Sequence, residues 1–524
     1  MEQVDSVGSV GGADPAVVVR AALVGGADPA VVVPANPGPA SDQASAPDQA
    51  SGQASAEAPG QASGHASALA PDQASDPAQT QTQTPAPAPA PDPAQAQRDR
   101  APTPAQPQRA PHPALDALQR DPYPLYARAR RSEGLTFVPE LDAWLVARDA
   151  DIREVLLRPQ DFSSAQALRP DVVPSPAALA VLARGFAARP TVVSTDGPAH
   201  SRHRAPLNSG LSAAGTAALT PYIRRQAERL AEALADRLDE PGRAADLMAH
   251  YARPLPGAVV GRLLGLDPAD VPTAVHGSYS AERLLFRPLA EAEQIAAAED
   301  VLALQRLLDR YARDRRARPR DDLISTMVTA LAPDAGLGPG RRELTGDQRC
   351  ELVSNLQNLL IAGHLTTTAL IGGTVLHLLR HPDQWRLLRT RPELVPAAVE
   401  EAARYDTPVQ GFRRTTTRRV VVAGTELPAG ATVFVAYGSG NRDEARHHDP
   451  DVFDITRPSP QPRHLAFGHG RHGCPGAQLA RVQLRTTLEV LTRRLPDLRL
   501  AEGPAPVMRP TLIHRSPEEL PVTR

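Results

Sequence analysis

Two stretches of the chain carry apolar residues at helical spacing over lengths that no loop sustains. The first runs from about Asp347 to Leu379 through Leu359-Leu360-Ile361-Ala362-Gly363-His364-Leu365-Thr366-Thr367-Thr368, and it predicts a long, mostly buried helix. The second runs from Ala477 to Leu491 without a breaker, and Pro475 stands just before it, where a helix start tolerates proline. Shorter runs rich in β-branched residues, Val420-Val421-Val422 and Thr432-Val433-Phe434-Val435, read as a hairpin joined through Leu427-Pro428-Ala429-Gly430. The pattern is therefore mainly helical with a small β component.

Composition divides the chain. Before Tyr123 there is no Phe, Trp or Tyr, and proline, alanine, glutamine and serine dominate. Gly11-Gly12-Ala13-Asp14-Pro15-Ala16-Val17-Val18-Val19 recurs word for word from Gly25 to Val33, and Gln-Ala-Ser recurs at Gln43, Gln49, Gln53, Gln61 and Gln73. Such a segment lacks the apolar mass to offset chain entropy, so residues 1–114 read as a disordered extension, with an extended Pro/Ala spacer from Thr84 to Pro93. Residues 115–524 then form one large domain. No stretch approaches the ~20 apolar residues of a membrane helix, and Ala16 to Val33 is broken by Arg20, Asp28 and Pro29. The start, with Glu2 and Asp5, lacks the basic opening of a secretory signal. Two cysteines in 524 residues suit a reducing, cytoplasmic setting. A net charge of −2, with arginine as the only strong base, gives no argument for nucleic-acid binding.

One of those cysteines carries the chemistry. Cys474 lies in Phe467-Gly468-His469-Gly470-Arg471-His472-Gly473-Cys474-Pro475-Gly476, directly before the predicted helix. A helix start aims free N–H groups and a positive dipole end at a sulfur, which favours thiolate. Gly468, Gly470, Gly473 and Gly476 permit positive-φ turns and close approach of a flat group to the main chain. Cys350, in a charged helix start with nothing around it to bind, reads as an inert thiol. Zinc and a disulfide do not fit Cys474, because no second cysteine is near in sequence.

The pattern Phe-Gly-x-Gly-x-His-x-Cys-x-Gly, met in full from Phe467 to Gly476, resembles the haem-binding signature of the cytochrome P450 superfamily, in its soluble bacterial form. The resemblance covers roughly Leu115 to the C-terminus. It implies an α-rich triangular prism enclosing haem b (iron protoporphyrin IX), with Cys474 as axial iron ligand. Asp142-Ala143-Trp144-Leu145-Val146 with Asp151 to Leu156 is similar to the family's first strand pair and second helix, closed by Phe162-Ser163-Ser164.

Further segments follow in family order. Asp196-Gly197-Pro198-Ala199-His200-Ser201-Arg202-His203-Arg204 is similar to the segment that sends one His and one Arg toward a haem propionate, and a spacing of four puts His200 and Arg204 on one helical face. Glu401-Ala402-Ala403-Arg404 matches the Glu-x-x-Arg pair, whose implied role is structural. Arg414 is implied as a second propionate ligand, with Arg413 competing, and His472 as a third contact. Val452 stands where the family often supplies an arginine, so the third member of the Glu401–Arg404 network is Arg442 or Arg457. In the apolar helix, Ala362 and Gly363 are implied to make room for haem, helped by a local distortion of the helix, and Thr366 to deliver protons. Leu365 departs from the usual acid, leaving water ordered by Thr366, an inward His364 or a substrate group as proton routes.

The reading that results is a monomeric, cytoplasmic haem-thiolate monooxygenase. It hydroxylates or epoxidises a small or medium apolar metabolite, carrier-bound by analogy, in secondary metabolism. Electrons come from a separate ferredoxin and NAD(P)H-dependent ferredoxin reductase. Arg463, Arg471 and Arg481 would suit an acidic donor. Oxidative coupling and an inactive haem-binding recruiter are the alternatives.

Overall fold

The computed structural model describes residues 113–240, 242–333 and 343–524. The extension expected over 1–114 therefore lies outside the described residues, except at its end. There a helix begins at Pro113. Proline is accommodated because the first helical position needs no N–H.

Seven helices position the site: α1 (Gly197–Gly210), α2 (Pro254–Leu264), α3 (Val271–Phe286), α4 (Glu291–Ala317), α5 (Gly346–Arg380), α6 (Val395–Tyr405) and α7 (Ala477–Arg494). The two longest apolar predictions hold nearly to the residue. α5 is set at its start by a capping box, in which Thr345 Oγ1 accepts from the N–H of Gln348 while the Gln348 side chain accepts from the N–H of Thr345. Its second half is buried on every side. Leu370, Ile371, Val375 and Leu376 of α5 pack with Ala398, Val399 and Ala402 of α6 and with Leu484, Leu488 and Leu491 of α7, in the largest apolar cluster.

By length and composition α5 is apolar enough to cross a membrane, which sequence reading did not credit to any stretch. Its apolar window is 78% buried inside the protein, so protein and not lipid covers it.

The largest sheet has five strands, β1 (Thr136–Val138), β2 (Ala143–Val146), β3 (Phe162–Ser163), β4 (Phe412–Thr416) and β5 (Thr432–Val435), in the order β1-β2-β5-β4-β3. The expected pairing of Val420–Val422 with Thr432–Val435 is not made. Val420–Val422 turns back at once on Thr425–Leu427, while β5 joins β2 in parallel and β4 antiparallel. The reason is the Ala423-Gly424 turn, where both residues take positive φ (49° and 76°), the geometry of a two-residue hairpin. Alanine at such a φ is uncommon, so the turn carried no sequence signal.

Candidate active site

A deep, mostly apolar cavity lies between α5 and the cysteine loop, with Cys474 in its wall. Ala362, Gly363, Thr366 and Thr367 of α5 face it, as do Val259 and Val260 of α2, Leu285 and Phe286 of α3, and Phe467 beside the cysteine.

The loop is a compact set of turns. The N–H of Cys474 donates to Phe467 O at 2.8 Å, that of Gly473 to Gly470 O at 3.1 Å, and that of Gly468 to Leu465 O at 2.8 Å. Positive φ is used at Gly468 (69°) and Gly470 (68°) only, which corrects the expectation for the other two glycines. A Cβ on Gly470 would also meet Leu156 O at 2.7 Å. Gly473 and Gly476 take ordinary negative φ, and Gly476 serves instead as N-cap of α7. Cys474 is enclosed by protein, yet its sulfur is open to the cavity. Burial raises its pKa, opposed by the N–H groups of Gly476 and Ala477 and by Arg204 and Arg481, and the net shift is upward.

Arg204, Arg414 and His472 line the cavity. Strand register puts Arg414, and not Arg413, in the cavity wall. Neighbours on β4 point to opposite faces, and Arg413 turns away to donate to Asp171 Oδ1 (2.8 Å) and Arg169 O (3.2 Å). Arg414 is 4% exposed, donates to Arg413 O at 2.8 Å and sits by the Tyr437 hydroxyl. His472 is fixed by Ser164 Oγ at 3.0 Å and by the Asp196 carboxylate at 3.7 Å. Burial would raise the Asp196 pKa, but His472, Ser163 and Ser164 hold it at about 2. His200 is not in the cavity wall. It backs His472, ring centroids 4.2 Å apart, with its Nε2 buried and without a hydrogen-bond partner. Burial, then His472 and Arg204, lower its pKa to about 4, so it is neutral at neutral pH.

The distal helix differs from expectation in three ways. α5 is unbroken, with no local widening of its turns at Ala362 to Thr366; Thr366 Oγ1 instead donates to Ala362 O at 2.8 Å. Gly363 does not only make room for the cavity, since a Cβ there would come within 2.9 Å of Val260 Cγ2. His364 does not turn inward. It is fully buried, donates its Nδ1–H to Leu360 O at 2.7 Å, and packs edge-on against Tyr279 at 5.3 Å. Leu365 is 2% exposed and also absent from the wall.

Behind the loop, Glu401 and Arg404 form a bidentate pair (2.7 and 2.8 Å), both about 5% exposed or less. Arg404 also donates to the carbonyls of Asn441 (2.9 Å), Pro450 (2.8 Å) and Val452 (3.1 Å). The third member is Arg457, at 3.0 Å from Glu401. Arg442 lies elsewhere, over the rings of Tyr123 (3.7 Å) and Tyr405 (4.0 Å). Sequence reading missed Glu400. It takes both ends of the cysteine loop, accepting from Arg481 at 2.7 and 2.9 Å and pairing with His464 at 3.1 Å. Burial would raise its pKa, but these partners hold it at about 2. Arg481, stacked 4.4 Å over Phe467, is thus spent internally and is no free docking charge. Adjacency to Glu401 was the only signal available.

A helical shell thus surrounds an apolar cavity, with one sulfur in the wall opposite a long helix. The comparisons name the class. The cytochrome P450 family model matches residues 305–496. The chain is 35% identical over 411 residues to cytochrome P450 107B1 of Saccharopolyspora erythraea, covering 76% of this chain and 93% of that one. It is 36% identical over 395 residues to mycinamicin IV hydroxylase/epoxidase of Micromonospora griseorubida, covering 73% and 89%. The solved structure of cytochrome P450 CREJ in complex with (4-ethylphenyl) dihydrogen phosphate superposes with a TM-score of 0.69 at 31% identity, over 77% of this chain and 97% of that one. The chain belongs to the cytochrome P450 family, as a monooxygenase of the bacterial type, and the family implies a haem-thiolate cofactor, redox partners and a small-molecule substrate.

Proposed function

We propose that Cys474 is the axial ligand of a haem b held in this cavity, and that the enzyme hydroxylates or epoxidises a small or medium, largely apolar metabolite of secondary metabolism. The observation that carries the reading is the Cys474 sulfur, open to an apolar cavity that also presents Thr366 and a cationic edge. The residues fit the group. Arg204 and Arg414 put two guanidinium groups into the wall, where planar donors match carboxylates. His200 adds a buried nitrogen without a partner, and His472 a ring held by Ser164 and Asp196. These four side chains would take the propionates. Bound haem supplies the dioxygen-activating iron, and thiolate ligation favours O–O cleavage.

The chain's own part is to orient substrate and govern water. Apolar walls from α2 and α3 exclude water and hold a hydrocarbon skeleton. Because the Thr366 hydroxyl donates to Ala362 O, its lone pairs are left to accept from water in the cavity. With Leu365 and His364 outside the wall, water ordered by Thr366 is the proton route the residues support best. Electrons come from a ferredoxin and its NAD(P)H-dependent reductase to a cytoplasmic monomer, and exposed Arg463 and Arg471 remain for an acidic donor. A carrier-bound substrate stays an analogy with pathway enzymes.

Turnover under labelled dioxygen tests the reaction: one labelled atom in the product is expected, and an unlabelled oxidised product would place the enzyme among non-oxygenating members. For Thr366→Ala, product per NAD(P)H is expected to fall several-fold while hydrogen peroxide rises in proportion. Unchanged coupling would remove Thr366 from proton delivery.

A further inference from the structure

Away from the cysteine, the cavity wall carries a buried pair of ionisable side chains. Glu282 of α3 is fully buried from solvent and His514, near the C-terminus, is 3% exposed, yet both line the cavity among Leu285, Phe286, Ile361 and Ile513. Glu282 Oε2 accepts from Arg509 at 2.7 Å. Its other oxygen, Oε1, is buried with no hydrogen-bond partner, and so is His514 Nδ1, which stands 3.7 Å away. That separation is too long for a hydrogen bond between them. One oxygen lying about 2.8 Å from both would bridge them at hydrogen-bond distance.

Neither group is free to swing aside. His514 sits in a C-terminal hairpin closed by the Met508–Pro517 bridge. Next to it, Arg515 donates to Asp406 Oδ1 at 2.7 Å and, through its N–H, to Pro408 O at 2.9 Å, while Gln410 N–H donates to Leu512 O at 2.7 Å. Glu282 is clamped by Arg509, whose guanidinium also lies 5.9 Å over the Tyr279 ring.

Charge selects among ligands. Arg509 already neutralises Glu282, and Arg287 adds further positive potential, so an ammonium group would be buried there without a counter-ion. A carboxylate would meet Glu282 itself. Burial would raise the Glu282 pKa, but Arg509 and His514 hold it below the ordinary range, so it stays an acceptor. His364 of α5, whose pKa burial lowers to about 4, adds no positive charge at neutral pH. What fits is a neutral hydroxyl that donates to Glu282 Oε1 and pairs with His514 Nδ1.

We propose that Glu282 and His514 form a hydroxyl-recognition subsite, and that the substrate class is an apolar skeleton bearing an alcohol away from the oxidised carbon. This rests on the haem-thiolate reading, because it assumes that the cavity holds substrate.

Calorimetric titration of the holoenzyme tests it with two skeletons, decyl and cyclododecyl, each as alcohol, methyl ether, amine and carboxylate. At least one alcohol is expected to bind about ten-fold or more tighter than its methyl ether, as a site built to satisfy a hydroxyl discriminates against the analogue that cannot donate. In His514→Leu that ratio should fall to about two-fold or less, and His514→Gln, which restores a polar partner, should recover part of it. Equal binding of alcohol and ether, preference for amine or carboxylate, an undiminished ratio in His514→Leu, or no binding of either alcohol overturns the proposal. The carbon monoxide difference band of each reduced variant is the control. An intact thiolate band with no hydroxyl preference sinks this inference alone, whereas a missing band in the wild type sinks the reading beneath it.

Discussion

Arg404→Ala is expected to yield a chain that neither loads haem nor unfolds cooperatively. Its guanidinium makes five hydrogen bonds, two to Glu401 and three to the carbonyls of Asn441, Pro450 and Val452. Those carbonyls belong to the irregular segment that leads to the cysteine loop, and the Asn441 side chain in turn accepts from the N–H of Leu465 at 2.5 Å. Removing one partner of such a pair leaves a buried charge and three orphaned acceptors, a loss of roughly 3–5 kcal/mol. That is comparable with the whole stability of many domains. The network also predicts an order. Glu401→Ala strands both Arg404 and Arg457, and removes the acceptor of the Asp454 N–H, so it should be the most damaging. Arg457→Ala leaves the bidentate pair intact and should be mildest. Haem content per protein and the amplitude of the cooperative denaturant transition, measured for the three variants, check the series. Wild-type haem content in Arg404→Ala would contradict the assignment.

The same network shows how much the sequence held. The i,i+3 spacing of Glu401 and Arg404 was visible because a helix brings those positions together, and α5 and α7 were visible because apolar periodicity is local. What a residue meets across the fold was not. Arg457 and Arg442 were equal candidates until the chain path put one against Glu401 and the other over two tyrosine rings. Arg413 and Arg414 were separable only through the β4 register. His364, next to the small residues of α5, gave no hint that it would face Tyr279 and not the cavity. Glu282 and Arg509 are 227 residues apart, and neither lies in a motif. Local chemistry thus located the cysteine side of the cavity, while the polar part of the substrate wall is a product of tertiary contact alone.

Cys474→Ser should separate cofactor chemistry from folding, the opposite signature to Arg404→Ala. The Cys474 side chain opens to the cavity, and the loop around it is held by main-chain bonds that serine leaves in place. Helical content and the unfolding midpoint are therefore expected to stay within about 1 kcal/mol of wild type, as for substitutions away from packed cores. The red-shifted carbon monoxide band of thiolate-ligated haem is expected to vanish, and monooxygenation with it. Titration gives the sharper check. Burial raises the thiol pKa more than the Gly476 and Ala477 N–H groups lower it, so without a cation the protein holds Cys474 protonated at neutral pH. A metal at the sulfur reverses that balance and expels the proton. Loading ferric haem onto the wild-type apoprotein should then release about one proton more than loading the serine variant, whose hydroxyl does not ionise near neutrality. Equal proton release from the two, or a thiolate band that survives in Cys474→Ser, would show that the iron takes its axial ligand from some other residue.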